Sequence, residues 1–156
     1  MLEQQNYKKA RFFKCALQVN PVGYIQYRGQ EQSLSEAEYN QQLLNAALEA
    51  GIEVIGLADH GSVDQIDVLR KLFNQNGIVV FPGFEIASSE KIHFVCLFDE
   101  STTADLIKMH LGALCVDINH PAAPVQKSAI DIIHYINEKK GFIRAAHCNT
   151  DDGVLP

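Results

Sequence analysis

Apolar residues along this chain cluster into short runs that alternate with stretches of helical spacing. Residues 11–19 (RFFKCALQV) predict a first buried strand. Residues 20–33 hold Gly, Pro and Tyr without any period and predict a long loop, in which Tyr24, Tyr27 and Arg28 are candidates to line a site. Ser35 and Glu38 have capping-box spacing. From there Tyr39, Leu43, Ala46, Ala47 and Ala50 keep a helical stripe until Gly51, a residue suited to closing a helix. A β-rich run then starts at Glu53 and ends in Asp59-His60. Ser62 is placed to cap a second helix, with Ile66, Leu69, Leu72 and Phe73 on one face and Gly77 at its end.

Residues 78–81 predict a third strand that Pro82-Gly83 breaks just ahead of Glu85. After a short link, residues 92–98 (IHFVCLF) predict a fourth strand, as a hairpin or an edge partner. Thr102 or Thr103 opens a helix to about His110, and residues 111–127 show no clear period. Ser128 caps a last helix with Ala129, Ile132, Ile133 and Ile136 inward and Gly141 closing it. Residues 142–146 form a fifth strand ending at His147. This alternation predicts an α/β fold with a mostly parallel sheet. In such sheets chemistry is mounted at the C-terminal strand ends, and His60, Glu85, His93 and His147 all sit at or near strand ends.

At 156 residues the chain reads as a single domain able to bury a sizeable core. Its net charge of −6 argues against unspecific gripping of nucleic acid, which depends on Lys and Arg neutralising phosphates. It leaves room for a phosphorylated substrate, because a bound cation supplies positive charge locally. Cys15, Cys96, Cys115 and Cys148 form no Cys-x-x-Cys pair and read as reduced thiols. The polar segment 1–9 has no signal-peptide core, and no apolar run approaches the roughly 20 residues of a membrane span. A cytoplasmic location is the expectation.

Taken singly, each candidate has an ordinary reading. Glu85 beyond Pro-Gly is a turn or cap residue, and His93 a strand histidine bonded to a carbonyl. His147 beside Cys148 is a poor nucleophile pair, since neighbouring strand residues face opposite ways. His134 falls opposite its helix's apolar stripe, and His110 and His120 follow no spacing. Lys139-Lys140 compensates a helix C-terminus. Together, however, three histidines and a glutamate at strand ends make a metal site the sharper expectation.

The ordered segments Ala58-Asp59-His60, Pro82-Gly83-Phe84-Glu85-Ile86, Ile92-His93-Phe94 and Ala145-Ala146-His147 resemble the PHP (polymerase and histidinol phosphatase) superfamily, over nearly the whole chain. The version here looks closest to PHP domains that precede AAA- or SMC-type ATPases, the TrlF-like group. The resemblance implies a distorted (β/α)7 TIM-like barrel, incomplete in this chain, and residues 1–156 as one PHP-like domain at the front of a longer protein with a downstream ATPase. It also implies phosphoester hydrolysis with two or three metal ions.

The resemblance carries residue roles with it. The family's first motif, Asp-Leu-His-x-His, falls on Ala16-Leu17-Gln18-Val19-Asn20, where both imidazoles are replaced by amides. The following acidic or histidine ligand is missing, and the final Asp-x-His motif has no counterpart before Pro156. The ligand set of one ion is complete as Glu85, His93 and His147, whereas His60 is left without its family partners. One divalent ion (Zn, Mn or Fe) is therefore expected on Glu85, His93 and His147. His60 and Glu85 are the candidate catalytic residues, and Gln18, Asn20 and Asp59 contact substrate, with Asp59 also able to orient a neighbour. A His2Glu set with an open position suits such an ion.

Two functions follow. The first is a metal-dependent phosphoesterase, with a nuclease as one form of it, acting on a phosphorylated small molecule or nucleic acid. The second is a weak or inactive PHP-like module that binds a nucleotide or regulates an attached ATPase. With two ion sites depleted, slow hydrolysis or none is expected. No Walker-type phosphate loop is present, so ATPase activity would reside elsewhere.

Overall fold

The computed structural model of the protein describes residues 10–27 and 33–147. Expectations for Arg28, Cys148 and the two chain ends lie outside these residues, as does the side chain of Tyr27. Five strands are present: β1 Cys15–Val19, β2 Val54–His60, β3 Val79–Ala87, β4 His93–Leu97 and β5 Phe142–Ala145. Five helices accompany them: α1 Val22–Tyr27, α2 Glu36–Glu49, α3 Ile66–Asn74, α4 Ala104–Ala113 and α5 Ala129–Glu138. No helix among the described residues is long and apolar enough to cross a membrane.

The strands form one curled, half-barrel-like sheet in the order β1-β2-β3-β4-β5. It is mixed. β1, β2 and β3 run parallel, while β4 is antiparallel to both β3 and β5. The reversal at β4 follows from its short link, because a parallel return needs a crossover of a dozen or more residues.

Alternation along the strands separates the two faces. Ile55, Leu57 and Val80 meet Leu44 of α2 and Leu69 and Phe73 of α3. Phe84, Ile86, Phe94 and Cys96 meet Ile107 and Leu111 of α4 and Ile132 and Ile136 of α5. Burying side chains such as Ile132 and Ile136 completely contributes about 1.5–3 kcal/mol each. The opposite, concave face carries Leu17, Phe81, Ala58, Val95, Leu97 and Ala146, and it holds the site at one rim.

Five sequence expectations are corrected here. The first strand begins at Cys15, because Phe12 and Phe13 lie at the sheet edge, 92% and 52% exposed. The loop expected over 20–33 contains α1, whose Tyr24 is buried. The inward face of α2 is Asn40, Leu44 and Ala47, with Ala46 and Ala50 in solvent. Ser62 does not cap α3, which starts at Ile66 behind Gln65 without a side-chain cap bond.

The fifth correction matters most for the site. β3 runs straight through Pro82-Gly83 to Ala87, so Glu85 lies within the strand. The proline carbonyl accepts the Phe98 N–H at 2.9 Å, and its missing donor does not interrupt the pairing with Leu57. Gly83 is demanded by close approach, since a Cβ there would come within 2.0 Å of the Cys96 carbonyl oxygen. Without that side chain, β4 can lie against β3 opposite Glu85.

Candidate metal centre

Glu85 is 1% exposed, and four side chains converge on its carboxylate. Oε1 lies 3.1 Å from His93 Nδ1 and 3.1 Å from His147 Nε2. Oε2 accepts the Gln18 Nε2–H at 2.9 Å and lies 3.7 Å from His60 Nε2. Each partner arrives from a different strand. His60 is held by register, pairing with Glu85 across β2 and β3. His93 opens β4 and pairs with Ala87. His147 follows β5 by two residues, its φ of 48° placing it in the left-handed region where the chain turns sharply.

Gln18 owes its position to an irregularity in β1. Between Ala16 and Val19 the edge strand takes three steps against the two from Ile55 to Leu57 on β2. Such a bulge re-aims side chains, and here it lets Leu17 join the concave-face cluster while the next residue also reaches Glu85 from that face.

This donor set fits a divalent cation. Two atoms bound to one ion at about 2.0–2.2 Å lie roughly 3–3.5 Å apart, and both imidazole distances to Oε1 fall in that range. Ligand atoms of His60, Glu85 and His93 lie within 4.8 Å of one another. His147 is outside that group but shares Oε1 with His93. Oε1 is the oxygen turned to both imidazoles, because Oε2 is already engaged by Gln18.

The carboxylate's ionisation follows from these neighbours. Burial alone would raise the Glu85 pKa, but the hydrogen bonds with His93 and His147 and the charges of His60 and His147 outweigh it and bring it down to about 2. Asp59 behaves oppositely: burial pushes it up to about 6, helped by the charges of Glu85 and Asp64, against the hydrogen bond from the His60 N–H at 2.7 Å. Strand alternation turns Asp59 away from His60, and its Oδ2 faces Gly23 of α1. Among its described contacts it fixes the His60 backbone. Asn20 lies just past β1, its carbonyl accepting from the Tyr39 hydroxyl at 3.1 Å. Its Oδ1 is buried without a partner among the described residues.

Two residues at the site were not singled out by strand-end reasoning. Tyr24 stacks on the His60 ring with centroids 5.6 Å apart and planes 14° apart. The sequence marks it as a loop aromatic and a candidate to line a site, without tying it to His60. Arg144 donates through a terminal guanidinium nitrogen to Gln18 Oε1 at 2.9 Å. A charged residue in an otherwise apolar strand was the available signal. The remaining histidines lie elsewhere: His110 stacks on Phe98 and bonds the Tyr135 hydroxyl, His120 pairs with Asp117, and His134 is exposed.

No family model matches the sequence, and no curated protein matches it either. Solved structures do. The lesion-specific endonuclease EndoQ of Pyrococcus furiosus superposes with a TM-score of 0.61 at 13% identity, over 91% of this chain and 36% of its own. A two-domain Bacteroides vulgatus protein containing a PHP-like metal-dependent phosphoesterase gives 0.51 at 17% identity, over 84% of this chain and 34% of its own. A metal-dependent phosphoesterase of Bifidobacterium adolescentis gives 0.50 at 13% identity, over 90% and 68%. The chain thus has the fold of PHP-like phosphoesterases and spans about a third of the length of the endonuclease.

Proposed function

We propose that this chain is a metal-dependent phosphoesterase that cleaves a phosphoester in nucleic acid or in a phosphorylated small molecule, acting in the cytoplasm. The observation that carries this reading is the buried Glu85 carboxylate with His60, His93 and His147 gathered on it. Glu85 Oε1, His93 Nδ1 and His147 Nε2 would hold one ion of zinc, manganese or iron, imidazole and carboxylate donors being acceptable to all three. When bound, such an ion makes hydroxide from water near neutral pH and polarises the phosphoryl oxygen.

The chain's own groups do the rest. Gln18 holds Oε2 and so turns Oε1 toward the two imidazoles. His60, 7% exposed and stacked under Tyr24, stands with Nε2 3.7 Å from Glu85 Oε2, in place to take or deliver a proton beside the carboxylate. The Asp59 carboxylate fixes the backbone that presents it. Phosphoesterase and endonuclease neighbours with the same fold support this reading, and the lesion-specific endonuclease supports nucleic acid as a substrate class.

A second reading is favoured by one observation: the Gln18 amide occupies Oε2, where it brings no charge to hold a second ion. On that reading the chain is a weak or inactive phosphate-binding module, regulating a partner such as a TrlF-like ATPase. The test is metal content of the purified protein, then turnover of a generic phosphodiester and monoester with added manganese or zinc beside Glu85→Ala. Turnover that disappears with Glu85 supports the enzyme. One ion per chain without turnover above Glu85→Ala, or no ion at all, supports the binding module over the enzyme.

A further inference from the structure

We propose that Arg144 is a phosphate anchor of this site, its guanidinium binding an oxyanion beside Glu85; this rests on the phosphoesterase reading above. Arg144 is the only Lys or Arg in the five strands. It pairs with Val95 in the middle of the antiparallel half and belongs, by alternation, to the concave face shared with Ala146. One of its terminal nitrogens donates to Gln18 Oε1 at 2.9 Å, and Gln18 Nε2 donates to Glu85 Oε2 at 2.9 Å. Arginine only donates and an ionised carboxylate only accepts, so one orientation of the amide satisfies both. The chain Arg144–Gln18–Glu85 is therefore directional and ties the guanidinium to the metal centre.

The cation is not consumed by this arrangement. No carboxylate lies within ion-pair distance of it among the described residues, and its Nε–H is buried without an acceptor among them. An arginine serving as counter-ion to Glu85 would take the carboxylate directly with its two-pronged fork, but here a neutral amide stands between them. A half-buried guanidinium with donors to spare and no anion calls for an explanation. An oxyanion ligand answers it: phosphate oxygens match the fork, and a chain of net charge −6 needs a local cation to attract them. The β1 bulge, by turning Gln18 inward, prepares the guanidinium for this role.

The experiment measures binding of inorganic phosphate by calorimetry to the protein with and without manganese, alongside metal content. The variants are Arg144→Gln, which can still donate to Gln18, and Arg144→Lys, which keeps charge without the fork. Arg144→Gln should weaken phosphate binding roughly 10- to 100-fold with metal content and melting temperature unchanged, and Arg144→Lys should fall between it and the parent. Equal phosphate affinity in Arg144→Gln, or a parallel loss of metal, overturns the proposal, the latter making Arg144 a prop for Gln18. Phosphate binding absent from the parent in both forms also overturns it. A parent that takes up no metal yet loses phosphate affinity in Arg144→Gln keeps the anchor and sinks the phosphoesterase reading.

Discussion

In the parallel half of the sheet, His60 and Glu85 stand opposite each other near the C-terminal ends of β2 and β3, aligned by strand register. In the antiparallel half, β4 runs backwards, so the residue it brings to the same rim is its first, His93, and β5 adds His147 from the turn beyond its end. The halves differ in burial too. His60 keeps 7% of its side chain exposed under Tyr24, whereas His93 keeps 20% and His147 34%. The parallel side is thus the buried wall of the site and the antiparallel side its open one, with Glu85 on the strand they share. An incoming ion would meet His147 and His93 first.

Substitution at the shared strand should have the largest effect. Glu85→Gln keeps the shape but removes the charge both halves organise around. Metal affinity should fall by more than about 100-fold, beyond the usual cost of losing a group that merely orients a ligand. Equilibrium dialysis with zinc or manganese reads this directly, and unchanged uptake would mean the ion sits elsewhere. His147→Ala should cost more affinity than His60→Ala if the open side holds the ion.

Gly83→Ala comes next, because it attacks the joint between the halves. A methyl group 2.0 Å from the Cys96 carbonyl oxygen and 2.8 Å from Leu97 Cδ2 forces β4 away from β3. The expected loss is about 3 kcal/mol or more in urea unfolding, with metal uptake falling as His93 withdraws from Glu85. A variant as stable as the parent would show that the strands separate easily.

The same division explains what could be read from residues alone. The helix starts at Ser35 and Ser128 were legible, and the one at Thr103 to within a residue, because capping is local chemistry confined to a few residues. The rim residues His60, Glu85, His93 and His147 were legible as an ordered series at or near strand ends. The passage of β3 through Pro82-Gly83 was not, because those residues are turn formers by local preference. Only the close approach of β4, a long-range fact, turns Gly83 into a strand residue. Gln18 was expected near substrate, yet its grip on Glu85 depends on a bulge that appears only when β1 pairs with β2. Arg144 is tied to the site through that same amide.

Asp59 offers a test within the parallel half, measured on metal-free protein. Its folded pKa of about 6 exceeds its ordinary 3.8, so between roughly pH 4 and 6 the folded chain holds the proton more tightly than the unfolded one. Stability from this group is therefore present at low pH and lost as pH rises through that window, a difference of at most about 3 kcal/mol. Asp59→Asn can still accept the His60 N–H and should be more stable than the parent by about 1–3 kcal/mol at pH 7.5, with the gap closing below pH 4. Glu85 acts in the opposite sense, since its pKa is depressed to about 2 from 4.5: its contribution is present above about pH 4.5 and lost on acidification toward pH 2. An Asp59→Asn variant weaker than the parent at pH 7.5 would show that the hydrogen bond to His60 outweighs the burial cost.

The smallest effects lie at the helix caps, one in each half. Ser35 Oγ accepts the Glu38 N–H at 3.3 Å and Glu38 accepts the Ser35 N–H at 2.9 Å. Ser128 and Asp131 form the matching box on α5, at 3.2 and 3.3 Å. The antiparallel half adds one more acceptor: the Glu90 carboxylate, from the turn before β4, takes the Ala129 N–H at 3.0 Å. A serine cap replaced by alanine costs about 1 kcal/mol, and Ser35→Ala should show that value in urea unfolding. Ser128→Ala should cost less, because Glu90 still satisfies a neighbouring donor and keeps negative charge at the helix start. Placed in a Glu90→Ala background, Ser128→Ala should recover the full cost seen at Ser35, a coupling that a double-mutant cycle isolates. Equal costs for Ser128→Ala in both backgrounds would show that the β3–β4 turn does not brace α5, and that the two halves are capped alike.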